Sequence, residues 1–248
     1  KTVDASATTA GVDLTMATTA TSIITGGSGD DRVNYDSSLN AAGADFFDGG
    51  AGNDTIIVDL STTMTPVSVA GITNVETLEV STLQATFFDA DIIPTITTVR
   101  ASGTSDGITG SKIRFTDLPN NIDILVRGTE GVEGQLAINT GADVANVSYA
   151  TASGLGVIAT TLNLPEFETI NITTGATASA TGPVTNSVNS VINISGTSGL
   201  TLGNSSSTVL KVVDASGLVG TLGLTMGTNA AAAVYGGVTI TGSGQVDT

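Results

Sequence analysis

Two stretches of this sequence, GGSGDDRVN at 26–34 and GGAGNDTII at 49–57, set three glycines, an aspartate and a large apolar residue at the same spacing. In the first, Gly26, Gly27 and Gly29 precede Asp31, and Val33 is the apolar residue. In the second, Gly49, Gly50 and Gly52 precede Asp54, and Ile56 is the apolar residue. Glycine opens turn conformations that other residues avoid, so carbonyl oxygens can point at a common centre beside the carboxylate. An all-oxygen set of this kind suits a hard cation, and Ca²⁺ takes about 6–8 oxygens at about 2.3–2.6 Å. One such turn carries too few; a carboxylate and carbonyls from two stacked turns suffice. Weaker copies flank the clear ones. NAAGADFFD at 40–48 keeps Gly43, Asp45 and Phe47, and ATTATSIIT at 17–25 keeps Ile24, with Ser22 in the aspartate position. The array therefore runs 17–25, 26–34, an insertion at 35–39, 40–48 and 49–57.

These stretches fit the nonapeptide G-G-x-G-x-D-x-U-x, where U is large and apolar. They resemble the RTX calcium-binding repeats of bacterial proteins exported by type I secretion. The resemblance covers 17–59 and implies a short β-roll in which calcium is the cofactor and two nonapeptides make one coil. It implies that the Asp31 turn lies over the Asp54 turn, and that Ser22 pairs with Asp45 as a poorer site. Asp48 joins either site or faces water. Asp30 and Asn53, beside the key aspartates, are secondary candidate ligands. So are Asp106 in ASGTSDGIT and Asp143 in TGADVANV, although a plain turn is the more ordinary reading of both.

Other chemistry is constrained by what the chain lacks. It has no His, Cys or Trp. GTSDG at 103–107 matches a nucleophile-elbow pattern, but without His no Ser-His-Asp triad can be built. Imidazole zinc sites, disulfides and thiolate metal sites are excluded too. Carboxylate pairs exist at Glu76 and Glu79, Asp89 and Asp91, and Glu166 and Glu168, so a two-carboxyl glycosidase survives on residue types alone. Glu76 and Glu168 hold equivalent places in their repeats, which points to a feature of every coil and not to one active site. The expectation is a non-enzyme.

The elements that must carry these turns are β-strands. ITNVETLEV at 72–80 places apolar residues at Ile72, Val75, Leu78 and Val80. IPTITTVRA at 93–101 repeats the spacing at Ile93, Ile96, Val99 and Ala101, and LPEFETINI at 164–172 repeats it at Leu164, Phe167, Ile170 and Ile172. STVLKVVDA at 207–215 keeps Leu210, Val213 and Ala215. Read as one, three and two periods, the gaps between starts imply about 21–24 residues per period, the length of a solenoid coil. The final apolar-x-apolar pair reads as a strand with one face inward. Leucine-rich repeats share the spacing, but Thr, Val and Gly dominate here and helix formers are few; an antiparallel sandwich is the other alternative. The expected fold is all-β, an elongated parallel β-solenoid with a short RTX-like β-roll. KTVDAS at 1–6 recurs as KVVDAS at 211–216, and Leu14-Thr15-Met16 recurs as Leu224-Thr225-Met226. The chain begins at Lys1 and is read as a piece of a longer protein. The expected layout is the end of a preceding β module at 1–16, the calcium-binding roll at 17–59, a solenoid body at 60–210, and the start of a repeated module at 211–248 that matches 1–26.

Composition sets the partners. With 248 residues, 23 acidic and 7 basic side chains, the formal charge is -16. That surface repels nucleic acid and anionic membranes and attracts cations. No run of about 18 apolar residues is present, so no membrane insertion is expected. Aromatics are only 4% of residues, which suits many thin layers better than one thick core. In composition the chain resembles bacterial surface-layer proteins exported through type I machinery. The resemblance implies a secreted protein of the extracellular cell surface, a structural subunit folded and assembled by calcium. Its partners would be Ca²⁺, further copies of itself in a lattice, and cell-surface polysaccharide reached through a region outside this segment. The alternatives are the calcium-rigidified stalk of a secreted adhesin, or the non-catalytic RTX region of a secreted enzyme.

Overall fold

A computed structural model describes residues 1–16, 21–35, 45–58, 69–80, 87–102, 112–127, 131–149, 158–159, 161–177, 179–181, 184–185, 190–205, 210–226 and 238–248. Every strand pairing among them is parallel. No α-helix occurs among the described residues, which contain one 3-10 turn at Ala90–Ile92. The protein is a β-solenoid.

One eleven-stranded sheet forms its continuous wall. Its strands, in chain order, are Asp13–Thr15, Arg32–Asn34, Thr55–Val58, Thr77–Val80, Thr98–Ala101, Ile122–Val126, Val144–Tyr149, Thr169–Thr174, Ser190–Gly196, Leu210–Leu218 and Thr239–Thr241. Each strand is one coil further along the chain, so spatial order follows sequence order. At about 4.8 Å per strand, eleven strands extend the wall to about 50 Å.

The opposite wall changes partway. A four-stranded sheet, Thr2–Asp4, Ile23–Thr25, Phe46–Asp48 and Ile72–Thr73, faces the first coils. A five-stranded sheet takes over from Phe87–Asp89 to Val184–Thr185, and a second four-stranded sheet runs from Ile158–Ala159 to Leu222–Met226. Coils between residues 144 and 190 use both later sheets and so have three sides. Left-handed corners at Asn74 and Asn121 (φ 51° and 62°) turn the chain between walls, and Asp117 (φ 54°) marks a bulge within the strand Lys112–Leu118. Asn and Asp adopt that conformation more readily than other non-glycine residues.

The long wall forms because its strands alternate. Val33, Ile56, Leu78, Val99, Ile124, Val147 and Ile172 stack in register as one inward column and are buried. Each such side chain contributes about 1.5–3 kcal/mol when taken from water. Ile72, Val75, Leu78 and Val80, their counterparts at 93–101 and 164–172, and Leu210, Val213 and Ala215 are all buried, as their spacing requires. The register corrects one alignment. The spacing sets Val99 against Ile170, but the column of Val99 runs through Ile124 and Val147 to Ile172. The slip is two residues, which leaves the same side chains inward because strands alternate with period two. Gly134 is inward as well. A Cβ there would press on the side chains of Leu118 and Leu164, so the glycine makes room for those two leucines.

Candidate metal centre

The nonapeptides become strand and turn as their pattern requires. Ile24, Val33, Phe47 and Ile56 are buried at the centres of their short strands, and Val33 pairs with Ile56 as Ile24 does with Phe47. The turn 26–31 therefore stacks on the turn 49–54. Ala51 N donates to Gly27 O at 3.0 Å, and Thr55 N donates to Asp31 O at 2.8 Å. Gly50 and Gly52 sit at φ 95° and 127°, a region that disfavours side chains.

The aspartates form a ladder from coil to coil. Asp31 Oδ1 accepts from Val12 N at 2.7 Å, and its Oδ2 accepts from Gly27 N at 2.8 Å. Asp54 Oδ1 accepts from Asp31 N at 2.7 Å, and Glu76 Oε2 accepts from Asp54 N at 2.9 Å. Each carboxylate thus satisfies the N–H just ahead of the neighbouring coil's strand. The same device recurs where Glu168 accepts from Asp143 N at 2.9 Å; Asp247 accepts from Leu222 N, the first residue of its strand, at 2.9 Å, and Glu166 from Leu136 N, the last of its strand, at 2.7 Å. The equivalence of Glu76 and Glu168 is a coil feature.

Asp54 differs from Asp31 in one atom. Its Oδ2 is buried and has no hydrogen-bond partner. A buried carboxylate oxygen without a donor is costly. Burial pushes the Asp54 carboxyl up to about 6; the N–H of Asp31 pulls it down, and the charges of Asp31, Glu76 and Asp30 push it further up. The backbone passes this oxygen more closely than any residue but glycine allows. A Cβ on Gly49 would collide with Asp54 Oδ2 and with Asn74 O of the next coil. One coil earlier, a Cβ on Gly26 would collide with Asp31 Oδ2 and Gly49 O. A carboxylate and a carbonyl oxygen therefore lie together beside each of the two glycines, and the donor set fits a hard cation. Among the described residues no three acidic side chains gather in a metal-binding group, so main-chain carbonyls are needed to complete either set.

The other candidates are placed differently. Asp45 is buried and its Oδ1 accepts from Ser22 N at 2.9 Å and Ser22 Oγ at 2.7 Å. Asp48 lies on the opposite wall, where Asn74 Nδ2 donates to it at 2.7 Å. Asp30 accepts from Asn53 N at 2.8 Å, and Asn53 Oδ1 accepts from Thr77 Oγ1 at 2.8 Å; these two brace the turns from outside. Asp143 is fully buried, with Oδ2 taking Thr140 N at 2.6 Å and Gly141 N at 3.2 Å, and Oδ1 taking Thr140 Oγ1 at 2.6 Å. It closes its own turn. Asp106 lies outside the described residues.

Two features escaped the sequence reading. The Asp247 turn copies the Asp31 turn: Ser243 N donates to Asp247 Oδ2 at 2.8 Å, and a Cβ on Gly242 would collide with that oxygen. The readable signal was a glycine five residues before the aspartate, as in both clear nonapeptides. The second is Glu79, buried on the outer face of the long wall between Arg32 at 3.3 Å and Arg100 at 2.9 Å. Nothing local in the sequence links those three.

The chain matches no family model, no curated protein and no solved structure.

Proposed function

We propose that this solenoid is a calcium-closed structural segment of a secreted bacterial protein, and that its parent assembles into a surface layer. The observation that carries the reading is the orphaned, buried Asp54 Oδ2, which lies with the Asn74 carbonyl beside Gly49. Asp54 and Asp31, with the carbonyls of Asn74 and Gly49, are the groups that would hold the ion. Bound there, Ca²⁺ supplies the positive charge that the stacked carboxylates lack. The protein's own residues do the rest. Glycines bring carbonyls close, the carboxylate ladder sets the coil spacing, and the inward column seals the coils. The cytoplasm keeps free Ca²⁺ scarce, so the acidic turns repel one another there. Extracellular modules bind Ca²⁺ at about 10⁻⁴–10⁻³ M, which suits sites built partly from neutral carbonyls. No His or Cys is available for catalysis, and the equivalent glutamates Glu76 and Glu168 are occupied as coil struts.

Titration calorimetry on chelator-treated protein should show Ca²⁺ binding that Asp54→Asn weakens and Asp143→Asn does not. Purified parent protein should form ordered sheets in Ca²⁺ and dissolve in chelator, as seen by electron microscopy. Absence of binding heat together with a melting curve unchanged by chelator rejects the calcium reading. Ca²⁺-dependent folding that stops at monomers, with adhesion lost and the surface lattice kept in cells lacking the protein, favours an adhesin stalk instead.

A further inference from the structure

The coil that ends at Asp31 is rebuilt at Asp247. Val213 pairs with Ile240 as Val3 pairs with Ile24. Asp214 Oδ1 accepts from Ser216 N at 2.9 Å, as Asp4 Oδ1 does from Ser6 N at 3.1 Å. Asp247 takes the N–H of Leu222 at 2.9 Å and of Ser243 at 2.8 Å, as Asp31 takes those of Val12 at 2.7 Å and Gly27 at 2.8 Å. Thr248 N donates to Leu222 O at 3.0 Å, as Arg32 N does to Val12 O at 2.7 Å. Residues 238–248 therefore stand as 22–32 do.

The two differ in what lies on them. On 22–32 lies the coil 45–58. Phe47 covers Ile24, Asp48 O accepts from Gly26 N at 2.7 Å, and Asp54 Oδ1 accepts from Asp31 N at 2.7 Å. On 238–248 the same groups are open. Ile240 is 49% exposed where Ile24 is 2%. The N–H groups of Gly242 and Asp247 have no acceptor among the described residues. A Cβ on Gly242 would meet Asp247 alone, whereas one on Gly26 would meet Asp31 and also Gly49 of the next coil. A cleft of about 270 Å³ opens here, lined by Leu222, Leu224, Ile240, Gly242, Asp247 and Thr248.

We infer that this face takes one further glycine-aspartate coil of the 45–58 kind, supplied by the parent protein outside residues 1–248. The coil that fills the same place on 22–32 sets the chemistry of the occupant. It is a parallel strand with a large apolar residue to cover Ile240, a carbonyl for the Gly242 N–H and, in the turn that follows, a carboxylate for the Asp247 N–H. Main-chain hydrogen bonds to an open strand edge hold such a coil, and the alternate side chains select it. A second copy of the chain does not present that set. Its first coil has Val12 in the place of Asp31 and Asp54 in the ladder, so the Asp247 N–H would stay unpaired. The inference rests on the reading of this solenoid as a segment of a larger protein; it needs neither calcium nor a lattice.

Duplicating residues 33–58 directly after Thr248 supplies that coil in the order in which it follows Arg32. Hydrogen exchange followed by NMR reads the result. In the extended protein the Gly242 and Asp247 amides should exchange at least about tenfold more slowly than in the unextended chain. Phe47→Ser with Asp54→Ala, made in the duplicated copy alone, should restore the faster rates. Equal rates with and without the extension, or equal slowing by the double variant, overturn the inference. Slow exchange in the unextended chain that is lost on dilution overturns it too, because a second copy then fills the face. The comparison is made in chelator and in Ca²⁺. Slowing in chelator upholds the face even where titration finds no calcium. Calcium bound at Asp54 with no slowing in either buffer sinks the face and leaves the calcium reading in place.

Discussion

The backbone N–H of Asp31 donates to the carboxylate of Asp54, 2.7 Å away in the next coil, while the other oxygen of Asp54 is buried with no donor. One atom of the side chain thus ties two coils together, and the other is left unsatisfied. The folded protein favours the protonated form of Asp54, whose carboxyl is pushed from 3.8 up to about 6.

The sign of that shift gives a pH prediction. The stabilisation from protonated Asp54 is complete below the unfolded value of 3.8 and is lost as pH rises through about 6. In chelator, the protein should melt higher at pH 5 than at pH 7. Asp89 adds in the same direction, because burial and the neighbouring Asp91 and Asp117 raise it too. The difference between wild type and Asp54→Asn therefore isolates Asp54, and the variant should show the smaller rise. A wild-type melting temperature that drops between pH 7 and pH 5 would contradict the assignment.

Glycine substitutions separate crowding from backbone conformation. Gly26→Ala places a methyl against Gly49 O and Asp31 Oδ2, neither of which is the end of a flexible chain. Overpacking of this kind costs about 1–3 kcal/mol or more. Gly141, at φ 78°, has nothing within 4 Å of its would-be Cβ, so Gly141→Ala should cost only its left-handed strain, about 1 kcal/mol. Urea denaturation of the two variants measures the difference.

The coil-to-coil struts can be tested away from the nonapeptides. Glu168→Ala leaves the Asp143 N–H without its 2.9 Å acceptor, at a cost of about 1–3 kcal/mol. Glu168→Gln keeps an acceptor and should recover most of that loss. Equal destabilisation by both variants in chemical denaturation would mean that charge, and not the hydrogen bond, matters there.

Glu79 should behave as the acid-sensitive counterpart of Asp54. Burial pushes its carboxyl up, but hydrogen bonds from Arg100 and Ser102 and the charges of Arg32 and Arg100 outweigh this and hold it below 4.5. Its contribution is present above 4.5 and is lost as pH falls through the lower folded value. Glu79→Ala leaves the half-buried Arg100 guanidinium without its carboxylate, while the more exposed Arg32 keeps Asp13 at 3.6 Å, and should destabilise by about 1–3 kcal/mol at pH 7. Its penalty should shrink on acidification to pH 3, followed by thermal melts.

What the sequence by itself determined is local. Alternation within a few residues places Val99, Ala101, Ile170 and Ile172 inward, and a spacing near one coil length stacks them. A glycine frame before an aspartate specifies the turn, because only glycine tolerates φ 95° and 127° at Gly50 and Gly52 and the close approaches at Gly26 and Gly49. The register itself was less legible. A two-residue slip keeps every side chain on its face, so the apolar pattern does not distinguish Ile170 from Ile172 as the partner column of Val99. Tertiary structure alone decided which oxygens are satisfied. Asp31 and Asp54 carry the same glycine frame, yet the first has both oxygens filled by N–H donors and the second keeps an open, buried oxygen. It also joined Arg32 to Glu79 across 47 positions and threaded Asn146, Asn171 and Asn193 into a ladder. Those relations depend on which residues meet between coils, and that is set by the exact length of every intervening loop. The alternation that makes each strand carries no record of it.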